Sequence, residues 1–356
     1  MTSRTESLGA RVRGFTVTPA QYAIAAYAAM GAFTLIVMSG AAVRLTGSGL
    51  GCPTWPRCYG KIYPPLNTHA VIEFSNRMIT VPVSIVAFVA FGLAFRRRPY
   101  RRDLMRLSAL LPLGVLAQAV LGGLTVRGEL DYGWVMAHFS LSMLVLGAAV
   151  ALAWRAGEET GAKETGGEAT SGETTNGKAR DGVTPPHTAG RSLVLAARAT
   201  VVLAAITIVA GTAATAAGPH AGGSPGQKIN RLDFDGTGTM DFVIHRHGEI
   251  ALVFGLAALG LWWLARRRGA DERVRRWSTV TCVLIALQGA VGLDQYETHL
   301  PTELVWVHVS LATLTWLAVL WTMCAVGPLQ PRTALSRASQ APEKQPLSAY
   351  SPEIRT

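Results

Sequence analysis

The chain has 356 residues, of which 49% are hydrophobic and only 15% are charged, and its mean hydropathy is +0.28. The charged residues lie in clusters that are separated by long uncharged stretches, which is atypical of a soluble domain. A formal net charge of +11 can indicate nucleic-acid binding, but the clustering of the positive charge argues against it, and we expect no nucleic-acid partner. The composition predicts a protein embedded in a lipid bilayer.

Eight uncharged stretches follow one another along the chain. They cover residues 14–43, 78–95, 107–126, 132–154, 199–227, 250–265, 277–293 and 304–331. A helix needs about 20 apolar residues to cross a bilayer, and each stretch reaches that length once its ends are extended slightly. We therefore predict an all-α integral membrane protein, with eight transmembrane helices arranged as two pseudo-symmetric four-helix bundles. The alternative, a soluble all-α protein, fits these long apolar stretches poorly.

Arginine clusters set the expected orientation. Six arginines lie in residues 96–106 and six more in 266–276, both between consecutive apolar stretches. Short basic loops remain on the cytoplasmic side, so both termini are expected in the cytoplasm and the protein in the cell (plasma) membrane. The predicted segments are a cytoplasmic N-terminus (1–19), a first half (20–155), a disordered cytoplasmic linker (156–190), a second half (191–327) and a disordered cytoplasmic tail (328–356).

The two halves share a spacing of polar residues. In each half a glutamine is followed twenty residues later by a histidine in the pattern H-x-S-L, as Gln118 and His138 and again as Gln288 and His308. Histidines that recur on the helices of a membrane bundle are typical of metal or heme binding. The repetition predicts two related sites.

A second pair of matching positions lies upstream, and in each half the residue at this position is followed by an arginine. The pairs are Asn76–Arg77 in the first half and His245–Arg246 in the second. In the second half, His245 and His308 are therefore predicted to be the two axial ligands of a heme iron. Two imidazole ligands leave no open coordination position, so this site is expected to transfer electrons.

The first half keeps His138 but has Asn76, a poor iron ligand, at the place of His245. Glu73 stands three residues before Asn76 and so on the same helical face. A carboxylate inside a membrane is costly unless it is paired or functional. These residues predict a more open site that contains an acid.

Four arginines are candidates for binding heme propionates, because an arginine can hold a carboxylate with two parallel hydrogen bonds. They are Arg77, Arg246, Arg44 and Arg127. For Arg44 and Arg127, anchoring of a helix end at the membrane interface is an equally good interpretation.

Cys52 and Cys58 lie in the first loop on the side opposite the basic loops, where the environment is oxidising. A disulfide is favoured over a metal-binding pair, since no second Cys/His pair lies close by in the sequence.

Several longer strings carry a resemblance to one family. They are VRLTGSGLGCPTWPRCYG, IEFSNR, QAVLGGLTVRGEL, HFSLSMLVLG, IHRHGE and LQGAVGLDQYETHLPTELVWVHVSLATL, within residues 20–326. Together they resemble heme A synthases, membrane oxidoreductases that convert a methyl group of heme O to the formyl group of heme A for terminal oxidases. The resemblance implies heme b bound by His245 and His308, substrate heme O near His138, catalysis by Glu73, and the family's external cysteine pair at Cys52 and Cys58. Heme O synthase is the partner that family logic suggests.

One residue departs from the family pattern, which usually reads Glu-x-x-His-Arg in the second helix. Here Asn76 replaces the histidine, and we expect the substrate to be held through His138 alone. His69, about 10 Å earlier along a helix, would be a substitute only if its loop folds inward. The alternative functions are a non-catalytic b-type cytochrome that carries electrons from quinol, which leaves Glu73 without a role, and a heme transporter.

Overall fold

The computed structural model describes residues 15–167, 190–224, 226–234 and 238–328. Eight long helices make up most of this part of the chain: α1 (Pro19–Leu45), α2 (Thr68–Arg96), α3 (Arg102–Arg127), α4 (Tyr132–Gly167), α5 (Arg191–Ala217), α6 (Thr239–Arg267), α7 (Glu272–Glu297) and α8 (Thr302–Val326). Each contains a span long and apolar enough to cross a bilayer. The prediction of an all-α protein with eight membrane helices is confirmed.

Helix ends follow from local sequence. α1 begins with a capping box, in which the Thr18 hydroxyl accepts a hydrogen bond from the Gln21 N–H and the Gln21 side chain accepts one from the Thr18 N–H. Asn67 caps α2 by accepting a hydrogen bond from the Ala70 N–H at 2.8 Å. These caps satisfy N–H groups that the first turn of a helix leaves without partners.

The turns that end α3 and α7 have the same backbone conformation. Glu129 and Leu130 have φ of 51° and 61°, and the equivalent His299 and Leu300 have φ of 63° and 61°. Two successive non-glycine residues with positive φ are uncommon. Their recurrence at matching places is independent structural support for an internal duplication.

Each half is a closed four-helix arrangement. In the first half α1 packs on α2 and α4, and α3 packs on the same two helices; in the second half α5 packs on α6 and α8, and α7 on the same two. The halves meet where α4 contacts α8 and α5, and where α1 contacts α8. Helix α1 corresponds to α5, and α8 corresponds to α4. The α1–α8 contact is therefore the counterpart of the α5–α4 contact, as expected for two pseudo-symmetric bundles.

The interior contains many alanines beside larger apolar residues, and many large apolar residues are exposed at the periphery. Ala26, Ala87, Ala90 and Ala149 are fully buried, whereas other helical positions expose leucine and valine, for example Leu35, Val120, Leu252 and Leu293. Close packing through alanine with large side chains facing outward is the arrangement of a bundle in lipid, where there is no hydrophobic gain from burying leucine.

The two ends of the bundle differ in chemistry. We call the end formed by segments 46–67, 128–131, 218–224, 226–234 and 298–301 the histidine end. The opposite end, with loops 97–101 and 268–271, is the basic end. At the basic end the arginines do more than mark orientation, because Arg97 and Arg101 both pair with Glu159. Arg101 also pairs with Asp103 at 2.6 Å. Hydrogen bonds to Asp103 and Glu159 raise the pKa of the Arg101 guanidinium.

The end of α4 differs from the predicted segment boundary. α4 continues to Gly167, so residues 156–167 of the expected linker extend a helix, and the rest of that linker up to residue 189 lies outside the described residues. α8 ends at Val326; residues 1–14 and 329–356, most of the expected terminal segments, also lie outside the described part.

Candidate functional site

Two histidines face each other inside the second half, near the histidine end. The ring centroids of His247 on α6 and His308 on α8 are 6.3 Å apart, and the ring planes are inclined at 76°. The Nδ1 atoms of both rings are buried and have no hydrogen-bond partner among the described residues. A buried polar atom normally has a partner, so this pair has unused donor or acceptor capacity.

A glycine lies against each of these rings. A Cβ at Gly211 would lie 3.0 Å from His247 Cε1, and a Cβ at Gly292 would lie 3.1 Å from His308 Cε1. Both distances are tighter than ordinary van der Waals contact. The glycines on α5 and α7 therefore allow the neighbouring helices to approach the imidazoles closely.

His245 occupies a different environment from the one expected of a ligand facing His308. Its side chain is exposed, its ring lies 6.1 Å from that of Tyr296, and its Nδ1 lies 2.7 Å from the Asp241 carbonyl oxygen. Residues two apart on an α-helix point about 200° apart around its axis. The structure therefore brings His247, and not His245, to His308.

The sequence contains a signal for His247 that the alignment on arginine missed. Gly40 precedes Asn76 by 36 residues, and Gly211 precedes His247 by the same 36 residues. Matching the halves on these glycines selects His247, and in the structure Gly211 does lie against the His247 ring. Matching the halves on the following arginine selects His245.

In the first half, His138 has the same surroundings as His308. A Cβ at Gly122 would lie 3.4 Å from His138 Cε1, and the His138 Nδ1 is buried without a partner within the described part of the chain. Gln118 donates a hydrogen bond to the His138 carbonyl at 3.1 Å, as Gln288 does to the His308 carbonyl at 3.0 Å. The twenty-residue spacing thus corresponds to a repeated contact between helices.

Asn76 takes no histidine-like role in this half. Its side-chain oxygen accepts a hydrogen bond from the Ser39 hydroxyl at 2.7 Å, which joins α2 to α1. His69 does not replace it, because its Nδ1 lies 3.0 Å from the Ser48 hydroxyl in the loop after α1. Each of these side chains is thus already engaged by the segment next to it.

Glu73 is buried, with 5% of its surface exposed, and both of its carboxylate oxygens have partners. Its carboxylate accepts a hydrogen bond of 2.7 Å from the Cys52 N–H and forms an ion pair with Arg77, one turn further along α2. A charged partner and a backbone donor offset the cost of burying this carboxylate.

Arg77 holds the loop that follows α1. Its guanidinium donates to the carbonyls of Cys52 and Thr54, both at 2.9 Å, and to that of Pro56 at 3.3 Å. It also lies 5.0 Å from the centre of the Trp55 ring. Arg77 is therefore a structural centre for this loop, with its donors already used.

The other three candidate arginines lie in three different environments. Arg246 is half-exposed and pairs with Glu249 at 2.6 Å, so it is not the structural counterpart of Arg77. Arg44 crosses between the halves, donating to the His220 carbonyl at 3.1 Å and the Thr215 hydroxyl at 3.3 Å. Arg127 is exposed at the end of α3.

Cys52 and Cys58 form a disulfide and are completely buried, so the predicted pairing is supported. The disulfide closes the loop held by Arg77, over the histidine end of the first half. Among the described residues there is no group of three or more His, Cys, Asp and Glu side chains that could hold a metal ion. The alternative of a cysteine-containing metal site gains no support.

Heme suits the paired-histidine site better than a bare metal ion does. Imidazole nitrogens are axial ligands of heme iron, and one nitrogen of each ring, the Nδ1, is buried without a partner among the described residues. Two facing histidines supply only two protein donors, whereas a bare metal ion would need more. The residues present therefore fit a heme.

The fold and the site define an eight-helix membrane bundle with equivalent histidines in its two halves. The family model COX15-CtaA, described as cytochrome oxidase assembly protein, matches residues 23–320. The chain belongs to this family.

Individual relatives carry a more specific name. The chain is 32% identical over 128 residues to the heme A synthase of Bacillus pumilus, 34% identical over 135 residues to that of Lysinibacillus sphaericus, and 34% identical over 132 residues to that of Shouchella clausii. The matched segments are 35–37% of this chain. They span 42–43% of the length of these relatives, which is less than half.

Proposed function

We propose that the protein is a heme A synthase, an oxidoreductase that converts a methyl group of heme O to the formyl group of heme A. The observation that carries the proposal is the pair of sites, one in each half, built on equivalent histidines and glycines. Only the second contains two facing imidazoles. Membership of the family and the names of the relatives support the same activity.

The second half is proposed to bind heme b as a resident cofactor through His308 and His247. His247 takes the place of His245 in this assignment because its ring faces that of His308 and its Nδ1 is buried, whereas His245 is exposed. Heme b supplies one-electron transfer when it is bound. Both histidines must be neutral to act as ligands.

The first half is proposed to bind heme O, the substrate, through His138 alone. Asn76 is held by Ser39 and lacks an imidazole, so this site provides a weaker hold than the second, as suits a substrate that must leave as product. Glu73 is proposed to hold negative charge near the reacting group and to stabilise positive charge that develops there. Arg77 orients the Glu73 carboxylate through their ion pair.

Propionate binding is proposed for some of the candidate arginines. Arg127 and Arg246 are exposed enough to reach a bound heme, and Arg246 would exchange its surface pair with Glu249 for a propionate. Arg44 and Arg77 are committed to backbone and side-chain contacts of the protein itself. Their role is to shape the sites.

We further propose that the protein lies in the cell membrane with its basic end and both termini in the cytoplasm, because short arginine-rich loops stay on that side. Heme O synthase is the proposed partner, since an apolar and reactive porphyrin is better transferred directly than released. Crosslinking of the two proteins in the membrane tests this partnership.

The activity is tested by expressing the chain in a host that makes heme O but lacks heme A, and by extracting the hemes of the purified protein. We expect heme b together with heme O or heme A, and heme A in the cells. Stoichiometric heme b without any heme A would instead indicate a b-type electron carrier.

Two matched variants separate the sites. His247→Ala should remove the heme b spectrum while His245→Ala retains it; the opposite result would return the ligand to His245. Glu73→Gln should abolish heme A formation and keep the heme b spectrum, and an unchanged yield of heme A would exclude a catalytic role for this carboxylate.

A further inference from the structure

The loop between α1 and α2 exposes an unusual amount of apolar surface. Leu66 is 99% exposed, Ile62 80%, Tyr63 69% and Tyr59 49%. They lie within eight residues of one another and outside every helix. Isolated exposed apolar residues are normal on a protein surface, but a contiguous patch of them marks an interaction site.

This loop is held in a definite conformation. The disulfide fixes Cys58, whose carbonyl accepts a hydrogen bond from the Lys61 N–H at 2.9 Å. The Gly60 N–H donates to the Thr54 hydroxyl at 3.0 Å, and Arg77 binds the carbonyls on the other side of the loop. The apolar side chains are therefore presented outward by a braced segment.

The position of the loop identifies the medium it meets. Leu66 stands two residues before α2 begins at Thr68, and the first exposed large apolar residue of that helix is Val71. The loop thus leads directly into a helix that is long and apolar enough to span a membrane. The ends of membrane-spanning helices lie near the boundary between headgroups and acyl chains.

Residue types in the loop match that boundary. Tyrosine is enriched where one end of a side chain is apolar and the other is wet, which applies to Tyr59 and Tyr63. Residues 53–72 contain no aspartate or glutamate but include Arg57 and Lys61, which suits anionic phospholipid headgroups. Pro64 and Pro65 prevent the segment from adding to a helix or strand of a protein partner.

We propose that residues 59–66 form an interfacial loop that inserts Ile62 and Leu66 into the lipid leaflet at the histidine end. Tyr59, Tyr63 and Lys61 then lie at the level of the headgroups. The same loop is joined through Arg77 to Glu73, so contact with lipid steadies the loop at the histidine end of the first half. This inference is independent of the proposed activity, since it concerns only the loop and the bilayer.

Spin labelling of the full chain in nanodiscs of phosphatidylcholine and phosphatidylglycerol tests the proposal. Single cysteines are introduced as Ile62→Cys or Leu66→Cys after Cys282 and Cys324 have been replaced by alanine, with the Cys52–Cys58 disulfide left intact. The matched controls are Val81→Cys, on the outward face of α2, and Lys228→Cys, in an exposed loop at the same end.

Labels at 62 and 66 should be accessible to dissolved oxygen and shielded from a water-soluble nickel complex, as at position 81. The label at 228 should show the reverse. Nickel accessibility at 62 and 66 equal to that at 228 would overturn the proposal. Shielding from both reagents would also overturn it, by indicating a protein contact. If either variant fails to fold, Tyr63→Cys replaces it and should report an intermediate depth.

Discussion

Gly292 on α7 and His308 on α8 are in such close contact that a Cβ on the glycine would lie 3.1 Å from the histidine Cε1. The same relationship joins Gly211 to His247 at 3.0 Å. In both cases a glycine, which has no side chain, lets its helix set the position of an imidazole on the neighbouring helix. The orientation of the proposed heme ligands therefore depends on residues that contribute no ligand atoms.

Replacing Gly292 by alanine should disturb this contact and displace the His308 ring by a few tenths of an ångström. We expect a shifted heme b absorption spectrum and a lower heme content. The matched control is Gly289→Ala on the same helix, where an added Cβ meets nothing within 4 Å. Because alanine favours a helix by about 1 kcal/mol over glycine, the control should keep its spectrum and unfold at a slightly higher temperature. Identical spectra for the two variants would contradict the role of Gly292.

Arg77→Ala should strongly destabilise the protein. It leaves the buried carboxylate of Glu73 without its charged partner and frees the carbonyls of Cys52 and Thr54. Loss of one member of a buried pair costs about 3–5 kcal/mol. Arg246→Ala, which breaks a half-exposed pair with Glu249, should cost less than about 1 kcal/mol. Thermal unfolding in detergent measures both, and equal shifts in Tm would show that Arg77 does not anchor the loop.

Reduction of the disulfide should loosen the first loop without unfolding the bundle. Cys52 and Cys58 are six residues apart, and closing so short a loop stabilises the folded state by roughly 2 kcal/mol. A Cys52→Ala, Cys58→Ala double variant should unfold at a lower temperature, and proteases should cut its loop faster. A protease that cuts the variant and the parent at the same rate would contradict this prediction.

The two halves are joined by a hydrogen bond inside the protein. Trp316 on α8 donates to the Met143 carbonyl on α4 at 3.0 Å, and the indole is only 6% exposed. Trp316→Leu should therefore cost about 3 kcal/mol or more, since a large buried side chain and a hydrogen bond are lost. Trp306 makes the same kind of bond to the Met38 carbonyl at 3.1 Å but is 41% exposed, so Trp306→Leu should cost less. Thermal unfolding of both variants measures the difference. A larger decrease in Tm for Trp306→Leu than for Trp316→Leu would contradict the argument from burial.

Much of the architecture was predictable from the sequence. The spans were predicted because apolar length is a local property, and the halves because Gln118 and Gln288 precede their histidines by the same distance. In the structure that distance corresponds to equivalent hydrogen bonds to the carbonyls of His138 and His308. The disulfide was predicted from two cysteines in one short loop.

Other features depended on contacts between segments that are distant in the chain. Glu73 and Arg77 were interpreted as site residues, and the structure shows both bound to the loop of Cys52. Arg44 joins the first half to the loop after α5. Neither engagement has a signature in the spacing of residues.

The sequence by itself determined that the chain is an eight-helix membrane protein made of two related halves with histidines in both. Those properties follow from apolar length and from repeated spacing, which are fixed before any helix packs. Only the tertiary structure decided which histidine of α6 faces His308. From the sequence alone His245 and His247 are equally plausible heme ligands, but they lie on different sides of the helix. The rotation of α6 is set by its packing on α5, where Gly211 admits the ring of His247.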